Sequence, residues 1–177
     1  MNQKSGENGP MKVLVIAASK HGATKEIGTA IVEELAIAGL DAVQAEPGDV
    51  TTLDGVDAVV VGSAVYMTQW METIRNFISH YGPQLRELPL WAFSCGLSGV
   101  PIGNVQDPRR IGPALLSVNP IDHQTFRGRM EFSDLSLRER SIARLGNAPE
   151  GDYREWDKIR AWAQQIAADL KEHLPEA

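Results

Sequence analysis

Short apolar runs alternate along the chain with segments whose apolar residues recur every three or four positions. Lys12–Ala18 is almost continuously apolar, which is typical of a strand buried on both faces of a parallel sheet. The helical spacing that follows predicts a helix over residues 23–38, with Gly39 as its left-handed cap. Similar runs predict the remaining strands near residues 41–45, 58–62, 90–95 and 121–126.

The remaining helices carry recognisable start and stop signals. In chain order, these signals are a Gly82-Pro83 stop after the second helix, an Asp107-Pro108 start of the third, a Ser136–Glu139 capping box with a Gly146 stop around the fourth, and Asp152 with Glu155 opening the last.

Five strands alternating with helices predict an α/β fold with a doubly wound parallel sheet, because right-handed crossovers return each strand parallel to the previous one. The expected order is 2-1-3-4-5, in a single domain. Such sheets bind ligands beyond the carboxyl ends of their strands, where the strand order reverses. The loops at residues 19–24, 63–70 and 96–106 are therefore the candidate site.

Length and composition narrow the setting of this domain. We expect residues 1–10 to be a disordered leader and residues 11–174 to form the domain, with no transmembrane segment. The lone Cys95 excludes an intramolecular disulfide, and a cytoplasmic location is expected. A formal net charge of −6 argues against nucleic-acid binding, and the four histidines lack metal-ligand spacing. Trp91 and an exposed Trp162 are candidates for an interface, although the sequence leaves the oligomeric state open.

The loop between the first strand and the first helix has the composition of a phosphate site. Gly22 lets the backbone turn closely, Ser19 and Thr24 offer hydroxyl groups, and the helix start presents N–H groups to an anion. Lys20 or His21 could add positive charge. A plain strand-to-helix turn with a threonine cap is the alternative explanation.

Other nucleotide-binding patterns do not match this loop. It lacks the Gly-Lys-Ser/Thr of an NTPase loop, and its single glycine excludes G-x-G-x-x-G. A phosphoacceptor receiver domain would carry paired acids after the first strand, where this chain has Ala17, Ala18 and Ser19.

Three loops in order resemble the flavodoxin family. Ser19–Thr24 is similar to the flavodoxin phosphate loop, usually Thr/Ser-x-Thr-x-Gly-x-Thr or a shorter relative, and the segments 62–66 and 94–99 follow at suitable distances. Within that family the chain resembles the group that contains the quinone-dependent protoporphyrinogen dehydrogenases. This resemblance rests on Gly22, Thr24, Gly62 and the late Tyr153–Trp156 segment. It covers residues 11 to about 170 and implies that the doubly wound sheet is flavodoxin-like.

The resemblance implies an FMN cofactor held by three loops, with backbone groups at the ring edge and apolar or aromatic covers on its faces. Candidate covers are Tyr66, Trp70 and Leu97. The implied cofactor-binding residues are Ser19, Lys20, His21, Gly22, Ala23 and Thr24 at the phosphate, Ser63, Ala64, Val65, Tyr66 and Trp70 along one side of the ring, and Ser94, Cys95, Gly96, Leu97, Ser98 and Gly99 at its other edge.

The sequence leaves two main function classes open. The first is an FMN-dependent oxidoreductase, protoporphyrinogen-dehydrogenase-like or quinone-linked, acting on a small organic substrate. Residues 100–145 hold seven arginines against five acids, which suits an anionic substrate or an acidic surface, although a solvated helix face explains them as well. The second is a flavodoxin-type electron carrier docking on a redox partner protein. The insertion at 133–152 resembles the extra loop of the dehydrogenase group. An interaction module that has lost the flavin is a third class, which Gly22 and Thr24 disfavour.

Overall fold

Five parallel strands form the centre of the computed structural model, which describes residues 9–66, 69–96 and 113–172. Two short antiparallel pairings extend this core. The strands are β1 Lys12–Ala18, β2 Asp41–Ala45, β3 Ala58–Tyr66, β4 Gln69–Trp70, β5 Leu90–Gly96, β6 Asp122–Arg127, β7 Arg129–Met130 and β8 Gly151–Asp152. The parallel order is β2-β1-β3-β5-β6, while β4 pairs with β3 and β7 with β8. Counting only the parallel strands, this is the predicted order 2-1-3-4-5, and the flavodoxin-like single-domain fold is confirmed.

Helices cover both faces of the sheet. They are α1 Ala23–Ile37, α2 Glu72–Arg86, α3 Pro113–Val118, α4 Leu137–Leu145 and α5 Trp156–Glu172. One core packs α1 and α5 against alternate residues of β1, including Val13 and Val15. The other core packs α2 and α3 against the intervening residues, including Leu14 and Ile16. The near-continuous apolar run of β1 thus reflects burial on two faces.

β3 is longer than its sequence pattern predicted. Its pairing with β1 and β5 continues through Ser63 and Ala64, and it then turns back to pair with β4. The expected loop at 63–70 is therefore mostly a hairpin. Gly62 lies inside the strand, and a side chain does not fit there because a Cβ would stand 2.1 Å from the Phe93 ring.

Two expectations about helix ends were wrong. α2 does not stop at Gly82-Pro83 but continues to Arg86, since Leu85 is fully buried in the α2 core and holds the last turn against the sheet. Asp152 does not open α5, because its carboxylate is bound by Arg154 and the helix begins at Trp156.

The two candidate interface tryptophans are core residues. Trp91 is 2% exposed and Trp162 is 7% exposed, and the indole N–H of Trp162 donates to Asp122 over 2.8 Å. By contrast, the Ser136–Glu139 capping box and the left-handed Gly39 cap, at φ 89°, are confirmed. The predicted helix start at Asp107-Pro108 lies outside the described residues.

Candidate functional site

A cavity of about 350 Å³ opens at the carboxyl edge of the sheet, directly above the loop that joins β1 to α1. Its floor is formed by the Ser19–Thr24 loop together with the ends of β3 and β5. Its remaining wall comes from the segment that follows β6, including one side of α4. A volume of this size falls within the range of small-molecule sites.

The Ser19–Thr24 loop has the backbone of an anion-binding turn. Gly22 precedes α1 with φ 88°, a left-handed conformation that glycine adopts without steric cost. Its N–H donates to Ser19 Oγ over 2.9 Å, which fixes the turn. The first N–H groups of α1 have no carbonyl partner within the helix and point toward the cavity end of the helix axis.

Charged side chains surround this loop. The Lys20 ammonium forms an ion pair with the Glu139 carboxylate of α4, and His21 Nε2 lies 3.3 Å from the same oxygen. His21 Nε2 is buried and makes no hydrogen bond within the described part of the chain. Glu139 thus connects the α4 wall of the cavity to the Ser19–Thr24 loop on its floor.

Two arginines hold the first turn of α1 in place. Arg154, whose side chain is 4% exposed, pairs with Glu26 and with Asp152, and its guanidinium also reaches the Ala23 carbonyl at 3.4 Å. Arg129 donates to Glu26 over 3.1 Å and to the His21 carbonyl over 3.3 Å. The hydrogen bonds from Arg154 lower the pKa of both Glu26 and Asp152, so both carboxylates are charged at neutral pH.

The guanidinium of Arg154 also stacks over an aromatic ring. It lies 4.5 Å from the ring centre of Trp156, at the start of α5. The Tyr153–Trp156 segment therefore holds the amino-terminal end of α1 in place, which gives that segment a structural role that its sequence did not reveal.

Cys95 is a buried thiol at the end of β5. It is 4% exposed, and burial raises its pKa to about 11, although a hydrogen bond from Thr24 opposes that rise. It is therefore protonated at neutral pH and a weak nucleophile. Thr24, itself 1% exposed, ties the first turn of α1 to β5 through this contact.

Nine of the seventeen predicted site residues line the cavity: Ser19, Lys20, His21, Ala23, Thr24, Ala64, Val65, Cys95 and Gly96. Gly22 lies in the same loop, and a Cβ added to it would stand 3.9 Å from Nη2 of Arg129. Leu97, Ser98, Gly99 and the side chain of Tyr66 lie outside the described residues. The structure therefore brings the Ser19–Thr24 loop together with the ends of β3 and β5 at one cavity.

Three of the predicted residues are buried behind the cavity wall instead. Ser63 is fully buried, where its hydroxyl accepts the N–H of Met71 over 2.9 Å. Trp70 is 1% exposed and packs in the α2 core, and its indole N–H donates to the buried Ser94 hydroxyl over 2.8 Å.

The Ser94 hydroxyl also meets a histidine. Ser94 Oγ lies 2.8 Å from His123 Nε2 of β6, and burial lowers the pKa of His123. The hydroxyl accepts the indole N–H of Trp70, and the direction of its hydrogen bond to Nε2 depends on which ring nitrogen, Nε2 or Nδ1, carries the proton. That buried Nδ1 has no hydrogen-bond partner within the described residues.

The sequence prediction missed the wall contributed by the segment after β6. Its lining residues are Gly128, Arg129, Met130, Glu131, Asp134, Leu135, Glu139, Ile142 and Ala143. One signal in the sequence could have indicated it. The capping box at Ser136 marks the start of an additional helix that does not connect two strands of the parallel sheet. No helix in the described part of the chain has the length and apolar character required to cross a membrane.

The comparisons with known proteins agree with this architecture. The family model described as "Flavodoxin domain" matches residues 14–157, and the chain belongs to that family. The search of curated proteins finds no match.

Solved structures with the same fold include both short and long chains. A rubredoxin oxygen:oxidoreductase from Desulfovibrio gigas aligns with TM-score 0.62 and 14% identity, over 94% of this chain and 38% of its own. An archaeal flavodoxin aligns with TM-score 0.61 and 16% identity, over 91% of this chain and 99% of its own. A cysteine-to-serine mutant of Pseudomonas aeruginosa flavodoxin aligns with TM-score 0.59 and 16% identity, over the same shares. The chain thus spans little more than a third of the first of these proteins and nearly all of the other two.

Proposed function

We propose that this chain binds FMN and acts as an FMN-dependent oxidoreductase, with the phosphate on the Ser19–Thr24 loop. The observation that carries the proposal is Gly22, held at φ 88° at the amino end of α1 and beside the cavity. A helix start with a glycine turn accepts an anion through N–H groups and the helix dipole. Family membership supports a flavin, since flavodoxins are its named members among the similar structures.

The residues present fit such a group. The α1 amides would hold the phosphate, with Lys20 and Arg129 supplying positive charge nearby. Ala64 and Val65 at the end of β3, and Cys95 and Gly96 at the end of β5, would line the rest of the cofactor. When bound, FMN would supply hydride or electron transfer, while the protein orients it and controls access to it.

An enzymatic role is supported by the wall that α4 and its flanking residues add. Met130, Leu135 and Ile142 give the cavity apolar surface, and Arg129 gives it a cation. This combination suits a flat or apolar organic substrate that carries a negative charge. Within this class, a quinone-linked or protoporphyrinogen-dehydrogenase-like reaction is the finer proposal.

An electron carrier is the second candidate. The outer side of α4 exposes Leu137, Ile142 and Leu145 beside the cavity, as a docking surface would. Such a carrier would pass electrons to a protein partner and would need no substrate pocket.

One series of spectra separates these candidates. The purified chain is loaded with FMN, freed of excess, and titrated with a reductant under argon. Direct bleaching in one two-electron step, followed by rapid reoxidation with a soluble quinone, is expected for the oxidoreductase; oxidation of protoporphyrinogen then tests the finer proposal. A stable long-wavelength band at half reduction, with slow quinone turnover, would favour the carrier. A chain that retains no flavin would overturn both.

A further inference from the structure

α4 exposes an apolar face beside the cavity. Of the seven large apolar side chains exposed among the described residues, three lie on this one helix: Leu137 at 82%, Ile142 at 60% and Leu145 at 86%. At 100° per residue they fall within an arc of about 140°. Clustered exposed side chains of this kind mark interaction surfaces more often than single ones do.

The charges on α4 are arranged by side as well. The helix contains three arginines and one acid, and that acid, Glu139, is on the other side, where it pairs with Lys20. Arg138 lies within the apolar arc, about 20° from Leu145, and is exposed without an ion pair among the described residues. Arg144 is exposed at the edge of the arc and leans over the Phe132 ring at 5.8 Å. The outer face of α4 is therefore apolar and cationic, although the whole chain carries a net charge of −6.

This face is continuous with the cavity rim. Ile142 is 60% exposed and also lines the cavity, and Ala143 and Glu139 line it from the inner side of the helix. A protein seated on α4 would therefore stand about one helix diameter, ~10 Å, from the cavity contents.

We propose that the outer face of α4, made of Leu137, Arg138, Ile142, Arg144 and Leu145, is the docking surface for an acidic redox-partner protein. The redox role of this surface rests on the proposed flavin function, whereas its assignment as a docking surface rests on the exposure and charge of these side chains. Charge complementarity selects the partner: a patch of carboxylates around an apolar centre would pair with the arginines and cover the three apolar side chains. Redox encounters are small and transient, below about 1,200 Å², which one short helix and its surroundings can supply.

An anionic membrane is a poorer occupant of this face. Recognition of acidic lipids typically uses clusters of about 4–8 basic residues. α4 carries three arginines, fewer than such a cluster.

The test uses an acidic plant-type [2Fe–2S] ferredoxin as the probe. Its affinity for the FMN-loaded chain is measured between about 0.02 M and about 0.3 M salt, across which charge screening becomes strong. Docking on α4 predicts affinity that falls as salt rises, because unlike charges meet. Two net-negative proteins meeting elsewhere would instead gain affinity with salt, and that result would overturn the proposal.

Charge reversal sharpens the test. The pair Arg138→Glu with Arg144→Glu is expected to weaken ferredoxin binding about tenfold at low salt and to reverse the salt dependence. The control pair Arg86→Glu with Lys171→Glu makes the same change of net charge at the carboxyl ends of α2 and α5, which are exposed and lie away from the cavity. Equal loss in both pairs would contradict the assignment.

Apolar variants and other occupants complete the design. Leu137→Ser with Leu145→Ser is expected to weaken binding without changing the salt dependence, because no charge is altered. Ferredoxin that fails to bind, while phosphatidylglycerol vesicles bind through α4, would overturn a protein partner. Self-association abolished by the same leucine changes, seen by analytical ultracentrifugation, would assign the face to a second copy and would also overturn it.

The proposed function can fail separately. Each sample is also titrated with FMN, and binding of ferredoxin is repeated on the flavin-free chain. Absence of flavin binding with salt-sensitive ferredoxin binding would reject the cofactor while keeping the docking surface, and the converse would reject the surface alone.

Discussion

Arg154 reaches across 128 positions of sequence to pair with Glu26 in the first turn of α1. The contact joins the start of α5 to the amino end of α1, and the same guanidinium binds Asp152. Because the α1 amides form the proposed phosphate site, the pair fixes the position and orientation of those amides relative to α5. The Ser19–Thr24 loop is thus held by residues that do not line the cavity.

Removing Arg154 is expected to weaken both the fold and cofactor binding. Arg154→Ala leaves Asp152 without its guanidinium partner and Glu26 with Arg129 alone, which we expect to cost about 2–3 kcal/mol and to lower Tm by about 4–10 °C. FMN affinity should fall at least tenfold in a fluorescence titration, since the loop loses its support. Arg154→Lys should recover only part of the lost stability and FMN affinity, because a lysine ammonium lacks the planar fork of the guanidinium group.

Arg160→Ala is the matched control for that change. Arg160 also bridges α5 to α1, through Glu33 and Glu34, but its side chain is 40% exposed and lies farther along the helix. A small change in Tm and unchanged FMN affinity are expected. An equal loss of FMN affinity in both variants would contradict a specific role for Arg154.

Gly22→Leu is expected to abolish FMN binding. The residue has φ 88°, where a side chain is strained by about 1–2 kcal/mol, and the new side chain would fill the approach to the α1 amides. Gly39→Leu imposes the same strain at φ 89°, with nothing within 4 Å of its Cβ, at the far end of α1. Both variants should lose similar stability in a denaturant titration, but only the first should lose the flavin; unchanged FMN affinity would argue against the phosphate loop.

Gly62→Ala is expected to destabilise the sheet. Its Cβ would stand 2.1 Å from the Phe93 ring, so β3 and β5 must separate or the ring must move. Overpacking of this kind typically costs about 1–3 kcal/mol. Gly48→Ala, where nothing lies within 4 Å of the added Cβ, should change Tm little. A neutral Gly62→Ala variant would mean that Phe93 can be moved at little cost.

His123 is expected to make stability depend on pH. Burial lowers its pKa from the ordinary 6.5, so the folded state keeps it neutral while the unfolded chain takes up a proton. Stability is then complete above pH 6.5 and is lost as pH falls through that value toward the lower folded pKa. His123→Gln should flatten Tm in this window, relative to the native chain. The reverse slope would contradict the lowering of the His123 pKa by burial.

Much of the fold follows from periodicity because the two-sided burial of β1 and the amphipathic spacing of α1 are local patterns. The close turn into α1 could also be predicted, since Gly22, the hydroxyl residues and the helix start are adjacent in sequence. The end of α2 could not, because tertiary burial of Leu85 carries the helix past Pro83. The α4 wall of the cavity and the Arg154–Glu26 pair could not be predicted either. The contacts that form them, Lys20 with Glu139 and Arg154 with Glu26, join segments that are more than 100 residues apart.

Comparing FMN with riboflavin tests whether the amino end of α1 binds a phosphate group. The two ligands share the ring and differ by the phosphate. If the α1 amides hold the phosphate, the purified chain binds FMN at one equivalent and riboflavin at least a hundredfold more weakly, with the difference removed by Gly22→Leu. Equal affinity for both ligands, or no affinity for either, would contradict it.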